Sequence, residues 1–245
     1  MRTVSICAYN RPEYLHEVLI GLGIAREFCP EFNARVIIGV DHGAPEPVLV
    51  LAHMHADEVI EWPEHLGVSE HPRRLLQYVF TEVESNFNLH LEDDTVLSPD
   101  ALRLALWFER HDECGEILSL HSKSTDYENP GCVRPRPDFG VWGWVADDLV
   151  WEQWLAPTWN HRRTPPLGFD YSITDTLKQN GLIVLSPALS RVHNIGRENG
   201  AHQSPEGYDE EMKGLVWAGI EHAKEANEFY FHEENTKTQN NAGAV

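Results

Sequence analysis

Three consecutive acids, Glu92, Asp93 and Asp94, stand in the stretch NLHLEDDTVLSPDAL, directly after an apolar segment. Carboxylates crowded at one point suit a divalent cation, because hard cations take oxygen ligands. A further acid, Asp41, ends the segment ARVIIGVDHG just before a glycine turn. It is suited either to closing that turn or to accepting hydrogen bonds from a base or ribose. Asp170, in PPLGFDYSITDTL, falls at the start of a helical pattern after a proline-fixed approach. There an acid can serve the helix dipole or take a proton. Asp175 lies five residues on, about 500° of helix at 3.6 residues per turn, so the two side chains point about 140° apart.

These acids need elements to hold them. Phe87, Leu89 and Leu91 alternate with polar residues, as in a strand. Ser98, Pro99 and Asp100 read as a helix start with Ser98 as N-cap, which predicts a helix over 99–111 and puts the acid triplet in a strand-to-helix turn. Residues 3–10 read as a buried strand, and RPEYLHEVLIGLGIAREF as an amphipathic helix with Pro12 near its start. A strand over 34–43, a short helix PEPVLVLAHMH, a strand DEVIEW and a helix interrupted near Pro72 follow, and GEILSLHS closes the series as a strand. Alternating strands and helices predict an α/β fold with a parallel, helix-covered sheet. Asp41 and the triplet then face one crevice beyond the strand ends, where ligands bind in open sheets.

The first half, residues 1–122, reads as a nucleotide-binding half of Rossmann type, but without GxGxxG after the first strand a dinucleotide site is disfavoured. Residues 123–235 are less regular. They hold a proline- and glycine-rich segment with tryptophans, a short helix DDLVWEQWL, a helix stopping at Gly181, a strand in LIVLSPALSRVHNIG and a long helical pattern after Ser204 and Pro205. No repeat or linker divides the chain, so one domain over 1–235 and a polar tail over 236–245 are expected.

The chain has 245 residues, 42% of them hydrophobic and 10% aromatic, enough for a substantial core. Its 39 acids against 19 lysines and arginines give a net charge of −20, which argues against nucleic acid as a partner. The same charge means that an anionic ligand needs a metal or a local cationic pocket. Cys7, Cys29, Cys114 and Cys132 form no CxxC pair, which argues against structural zinc and suits reduced thiols. The N-terminus goes directly into a strand and no apolar run could span a bilayer, so a cytoplasmic protein without a membrane anchor is expected. Trp142, Trp144, Trp151 and Trp154 read mostly as core, with room for one in binding an acceptor; Arg73 and Arg74 read as a solvated helix face, and Asp147 and Asp148 as caps.

VSICAYNRPEYLHEVL, VIIGVDHG and LHLEDDTVLSPDAL resemble the start of the GT-A-fold glycosyltransferases, most nearly the N-acetylglucosaminyltransferase I and O-mannose N-acetylglucosaminyltransferase family. FGVWGWVADDLVWEQW, GFDYSITDTL and LSRVHNIGRENGAH continue the likeness in order over residues 3–203. The resemblance implies a metal-dependent, inverting transfer of a sugar, GlcNAc first, from a UDP-sugar to a glycan or protein acceptor, with Mn2+ or Mg2+ as cofactor. It implies that Asp41 binds uracil, that Arg11 lies near the nucleotide, that Glu92 and Asp93 contact sugar and ribose, and that Asp94 coordinates the metal. It makes Asp170 the catalytic base and a loop from Arg191 to His202, including Arg197, a cover over the diphosphate. His193 stands where many GT-A enzymes present a metal-binding histidine, although the most similar family uses none there. Two rivals are a sugar-nucleotide pyrophosphorylase, disfavoured because AYNRPEYL lacks the glycine-rich triphosphate loop, and a non-catalytic carbohydrate-binding protein on the same scaffold, disfavoured because every acid is intact.

Overall fold

Val4, Ile6 and Ala8 on one face of the first strand and Thr3 and Ser5 on the other are all buried, as a central strand of a covered sheet requires. The computed structural model describes residues 1–111, 116–123, 129–136, 138–159, 169–198, 204–219, 222 and 228–231. The first half runs β1 (Arg2–Ala8), α1 (Pro12–Phe28), β2 (Ala34–Val40), α2 (Glu46–His55), β3 (Glu58–Glu61), α3 (Gly67–Thr81), β4 (Phe87–Glu92), β5 (Thr95–Leu97), α4 (Ala101–Glu109) and β6 (Ile117–Ser119). The second half runs β7 (Cys132–Arg136), β8 (Trp144–Asp147), α5 (Asp148–Val150), a π-helical turn Trp151–Leu155, α6 (Ala156–Thr158), α7 (Phe169–Asn180), β9 (Val184–Pro187), β10 (Val192–Asn194), α8 (Pro205–Met212) and β11 (Tyr230–Phe231).

One nine-stranded sheet crosses both halves in the order β3-β2-β1-β4-β8-β6-β9-β7-β11. β3, β2, β1 and β4 are parallel, as expected for the nucleotide-binding half. The expectation of a mostly parallel sheet holds, and β6 runs in the same direction as β4. β8, from the irregular half, inserts antiparallel between β4 and β6. Buried polar side chains pin the β1–β4 register: Thr3 bonds Asn88, Asn88 bonds Ser5, and Ser5 Oγ lies 2.9 Å from His90 Nδ1. A one-residue slip would break every one of these bonds. The register sets Cys7 opposite Glu92, so the acid turn leaves the sheet beside the end of β1.

Several local expectations are corrected. α3 continues through Pro72, which lies in its second turn; there the proline gives up one backbone bond near the helix start while its ring is buried. α4 begins at Ala101 rather than Pro99, because the Ser98 hydroxyl bonds Asp100 instead of capping the helix. The long helical pattern after Ser204 ends at Met212, and the chain then reaches Trp217, which bridges Ser190. Other expectations hold. Asp147 caps α5 through Val150 N, and Gly181, at φ +68, ends α7. Gly143 meets both limits on glycine: its φ is +65, and a Cβ there would lie 2.8 Å from Val192 Cγ1. Cys7, Cys29 and Cys132 are free thiols; Cys114 lies outside the described residues.

Arg191 was expected over a diphosphate, and the fold gives it different work. Its side chain is fully buried, with Nε 2.9 Å from Asp100 Oδ1, Nη1 donating to Leu189 O and Nη2 to Pro130 O. An arginine this enclosed joins the chain before α4 to the strand region of the second half, and its donors are taken by the protein itself. Removing one member strands a buried charge, so Arg191→Ala should cost about 3–5 kcal/mol, read as a lower urea midpoint. The double variant Arg191→Met with Asp100→Leu should recover much of that loss.

Candidate active site

Parallel strands deliver β1 and β4 side by side, and both end at one edge. Asp93, in the turn after β4, is buried and accepts a hydrogen bond from Tyr9 N, which follows β1. Arg11, at the foot of α1, pairs with Asp93 through Nη2 and with Asp94 through Nη1 at 2.7 Å. One guanidinium therefore serves two buried carboxylates, with Glu92 alongside. The shortage of positive charge shows in their acidities. Burial, then Asp94, Asp93 and Asp170, push Glu92 from 4.5 to about 8 against the pull of Arg11. Burial pushes Asp93 up to about 6 against the pull of Arg11, and it raises Asp94 as well. Asp170 is partly buried at the start of α7, and its charge acts on Glu92.

A short pairing of β5 with β10 brings the second half over this turn. Asn194 Nδ2 donates to Asp94 Oδ1 at 3.2 Å, and Ile195 N donates to Asp94 O at 2.8 Å. Gly196 then passes so close that a Cβ on it would lie 2.0 Å from Asp94 Oδ2, which only glycine tolerates. Arg197 is exposed and holds Asp209 of α8 with two bonds of 2.8 Å, while Tyr208 Oη donates to Asn194 O. Glu198 N donates to Tyr14 Oη on α1. Asn194 and Gly196 escaped the reading of the sequence. The strand alternation of VHN and the glycine two residues later were the available signals.

That alternation also corrects His193. Neighbouring residues on a strand point to opposite faces, and the contact with Asp94 belongs to Asn194. His193 instead stacks on Trp217, ring centroids 4.9 Å apart, and burial lowers its pKa. His202, at the end of the expected loop, lies outside the described residues. Asp41 is buried and accepts from His42 N, Leu66 N and Gly67 N at 2.8–2.9 Å. Burial pushes its pKa up, but these backbone donors outweigh it and the net shift is downward. Asp41 thus anchors the start of α3, and its fourth acceptor position faces exposed His65 Nδ1 at 3.0 Å. A base N–H could bind Asp41 only by taking the place of His65.

The donor chemistry suits a divalent cation: carboxylate oxygens outnumber the cations near them, and raised pKa values mark charge awaiting compensation. Among the described residues, no three His, Cys, Asp or Glu side chains group to hold an ion alone. Protein ligands of one or two carboxylates, completed by phosphate oxygens, are the usual pattern for such ions at phosphate sites.

No protein-family model matches the chain, and no curated protein matches it. Solved structures do. S. aureus TarS, residues 1–349, aligns with a TM-score of 0.55 at 13% identity, covering 86% of this chain and 63% of that one. TarS in complex with UDP-GlcNAc aligns with a TM-score of 0.57 at 14% identity, over 82% of this chain and 60% of that one. The mannosyltransferase PcManGT from Pyrobaculum calidifontis, in complex with GDP-Man and Mn2+, aligns with a TM-score of 0.52 at 16% identity, over 78% and 57%. The likeness is one of fold, the GT-A arrangement, and this chain spans about three fifths of the length of those it matches. Among the described residues no helix is long and apolar enough to cross a membrane.

Glu92 gives a pH signature. Its folded pKa of about 8 exceeds its ordinary 4.5, so folding favours its protonated form. The stability it adds is complete below pH 4.5 and is lost as pH rises through 8. In metal-free thermal melts, the Tm of Glu92→Gln minus that of the parent chain should therefore grow between those pH values. A flat difference would show that Glu92 ionises normally.

Proposed function

We propose that this chain is a metal-dependent, inverting glycosyltransferase that moves a sugar from a UDP-sugar to an acceptor hydroxyl, with GlcNAc the first donor to test. The observation that carries the reading is the acid turn at the sheet edge, two buried carboxylates and a half-buried third with one arginine between the buried two. Such a turn is unfavourable by itself and becomes favourable with a cation and a diphosphate. The GT-A arrangement and the UDP-GlcNAc bound by TarS support the donor class.

Asp94 would hold Mn2+ or Mg2+, with Asp93 or Glu92 beside it; a cation bound there supplies Lewis-acid stabilisation of the leaving diphosphate. The chain's own residues do the rest. Arg11 sits at the same turn, and a cation that took its place at Asp94 would free Nη1 for a phosphate oxygen. Glu92 and Asp93 are the acceptors for sugar and ribose hydroxyls. Arg197 would join the diphosphate by exchanging Asp209 for it. Asp170 would take the proton of the attacking hydroxyl from the face opposite the leaving group; its electrostatic reach to Glu92 supports a place in the same crevice. The acceptor is a glycan or a protein.

Two variants test the assignment. Asp94→Asn should weaken UDP binding by more than about 100-fold in Mn2+, beyond the loss typical of an outer partner of a metal ligand, and should abolish its Mn2+ dependence in calorimetry. Unchanged affinity and metal dependence would remove Asp94 from the site. Asp170→Asn should keep UDP-sugar and Mn2+ binding and lose at least about 100-fold in transfer rate, while Asp175→Asn loses much less. The reverse ranking would move the base to Asp175, and a chain that neither binds nor hydrolyses any UDP-sugar with metal is not a transferase of this kind.

A further inference from the structure

Tyr9 joins two places at the edge of the sheet. Its N donates to Asp93 in the acid turn, and its ring meets the imidazole of His65, centroids 4.9 Å apart and tilted by 40°. His65 stands in the loop between β3 and α3, and its Nδ1 lies 3.0 Å from Asp41 Oδ2. An ionised carboxylate only accepts, so Nδ1 carries the proton of that bond. We propose that His65 is an internal stand-in for the nucleobase: its ring takes the place of the base on Tyr9 and Asp41, and it yields to a base with one donor on its pairing edge, as uracil has and guanine, with two, has not. The inference rests on the transferase reading and adds the residue that competes with the donor and the chemistry that selects its base.

Three observations carry it. The first is the pair of contacts itself. A flat ring lies against a tyrosine and gives one N–H to a buried carboxylate, and a pyrimidine with a ring N–H would make the same two contacts. The second is the contrast between the partners. The Asp41 side chain is 2% exposed and that of His65 is 54% exposed. The backbone next to His65 is held separately, since Leu66 N and Gly67 N also donate to Asp41. The imidazole can therefore turn out into solvent while the loop and the carboxylate stay in place, a rotation that exposed side chains make within nanoseconds. The third is the count of acceptor positions. A carboxylate offers about four. His42 N and Leu66 N take those on Oδ1, Gly67 N takes one on Oδ2, and His65 holds the other. A base that displaces His65 thus finds one acceptor. Uracil needs one, for the N3–H between its two carbonyls. Guanine presents N1–H beside an amino group, and its second donor would be left without a partner. Position agrees: Tyr9 sets this place beside the acid turn, within reach of a diphosphate held there.

The test uses the full chain with Mn2+ and calorimetric titration of UDP, GDP and inorganic pyrophosphate, which has no base. His65→Ala should bind UDP about two- to tenfold more tightly than the parent chain, the reach of one hydrogen bond that no longer has to be displaced. Its affinity for pyrophosphate should not change. The parent chain should bind GDP at least about tenfold more weakly than UDP, as one donor left unpaired on burial implies. UDP binding by His65→Ala that equals or falls below that of the parent would overturn the stand-in. So would an equal gain for UDP and pyrophosphate, because the effect would not pass through the base. GDP binding as tight as UDP binding would overturn the base selection. Failure of the parent chain to bind UDP at all would overturn the transferase reading beneath both.

Discussion

Arg11 is one cation shared by two buried carboxylates, and the arrangement of the crevice follows from that shortage. Glu92, Asp93 and Asp94 leave the sheet together because β4 ends there, and burial denies them the water that would stabilise their charges. The fold meets part of the need with fixed donors, from Tyr9 N, Asn194 Nδ2 and the Arg11 guanidinium. The remainder appears as raised proton affinity. A chain with far more acids than bases that still buries two at one sheet edge, with Glu92 half-buried beside them, has concentrated its charge where a cation and a polyphosphate together would relieve it.

The scaffold spends two other charges on holding that edge still. Asp41 ties the loop after β2 to the first turn of α3 through backbone donors, and the positive end of the helix favours its ionised form. Arg191 and Asp100 form a pair sealed from water, linking the chain ahead of α4 to the segment between β9 and β10. That segment continues into Asn194 and Gly196, which lie against Asp94. The geometry of the acid turn thus rests in part on an ion pair sealed from solvent.

Two faces of β10 divide the labour of the second half. Asn194 completes the acid turn, and His193 stacks on Trp217. The inserted strand β8 carries the sheet across the two halves, and Gly143 ahead of it permits β10 to approach. The crevice is a product of this one join.

Period and punctuation were enough to read the alternating strands and helices of the first half, the stop at Gly181, the Asp147 cap and the position of the acid triplet at a strand end. Each depends on residues a few positions apart, whose spacing fixes which way a side chain leaves the backbone. Partnership was not legible. Whether Asp41 faces a ligand or the donors of Leu66 and Gly67, whether Arg191 covers a phosphate or neutralises Asp100, and whether His193 or Asn194 reaches Asp94 depend on residues 25 to 100 positions apart in the chain. The antiparallel entry of β8 was hidden for the same reason, since strand partners are chosen by the packing of the whole sheet. Sequence determined which groups could do chemistry; tertiary structure decided which of them were already occupied, because a buried charge takes whatever partner the fold brings within reach.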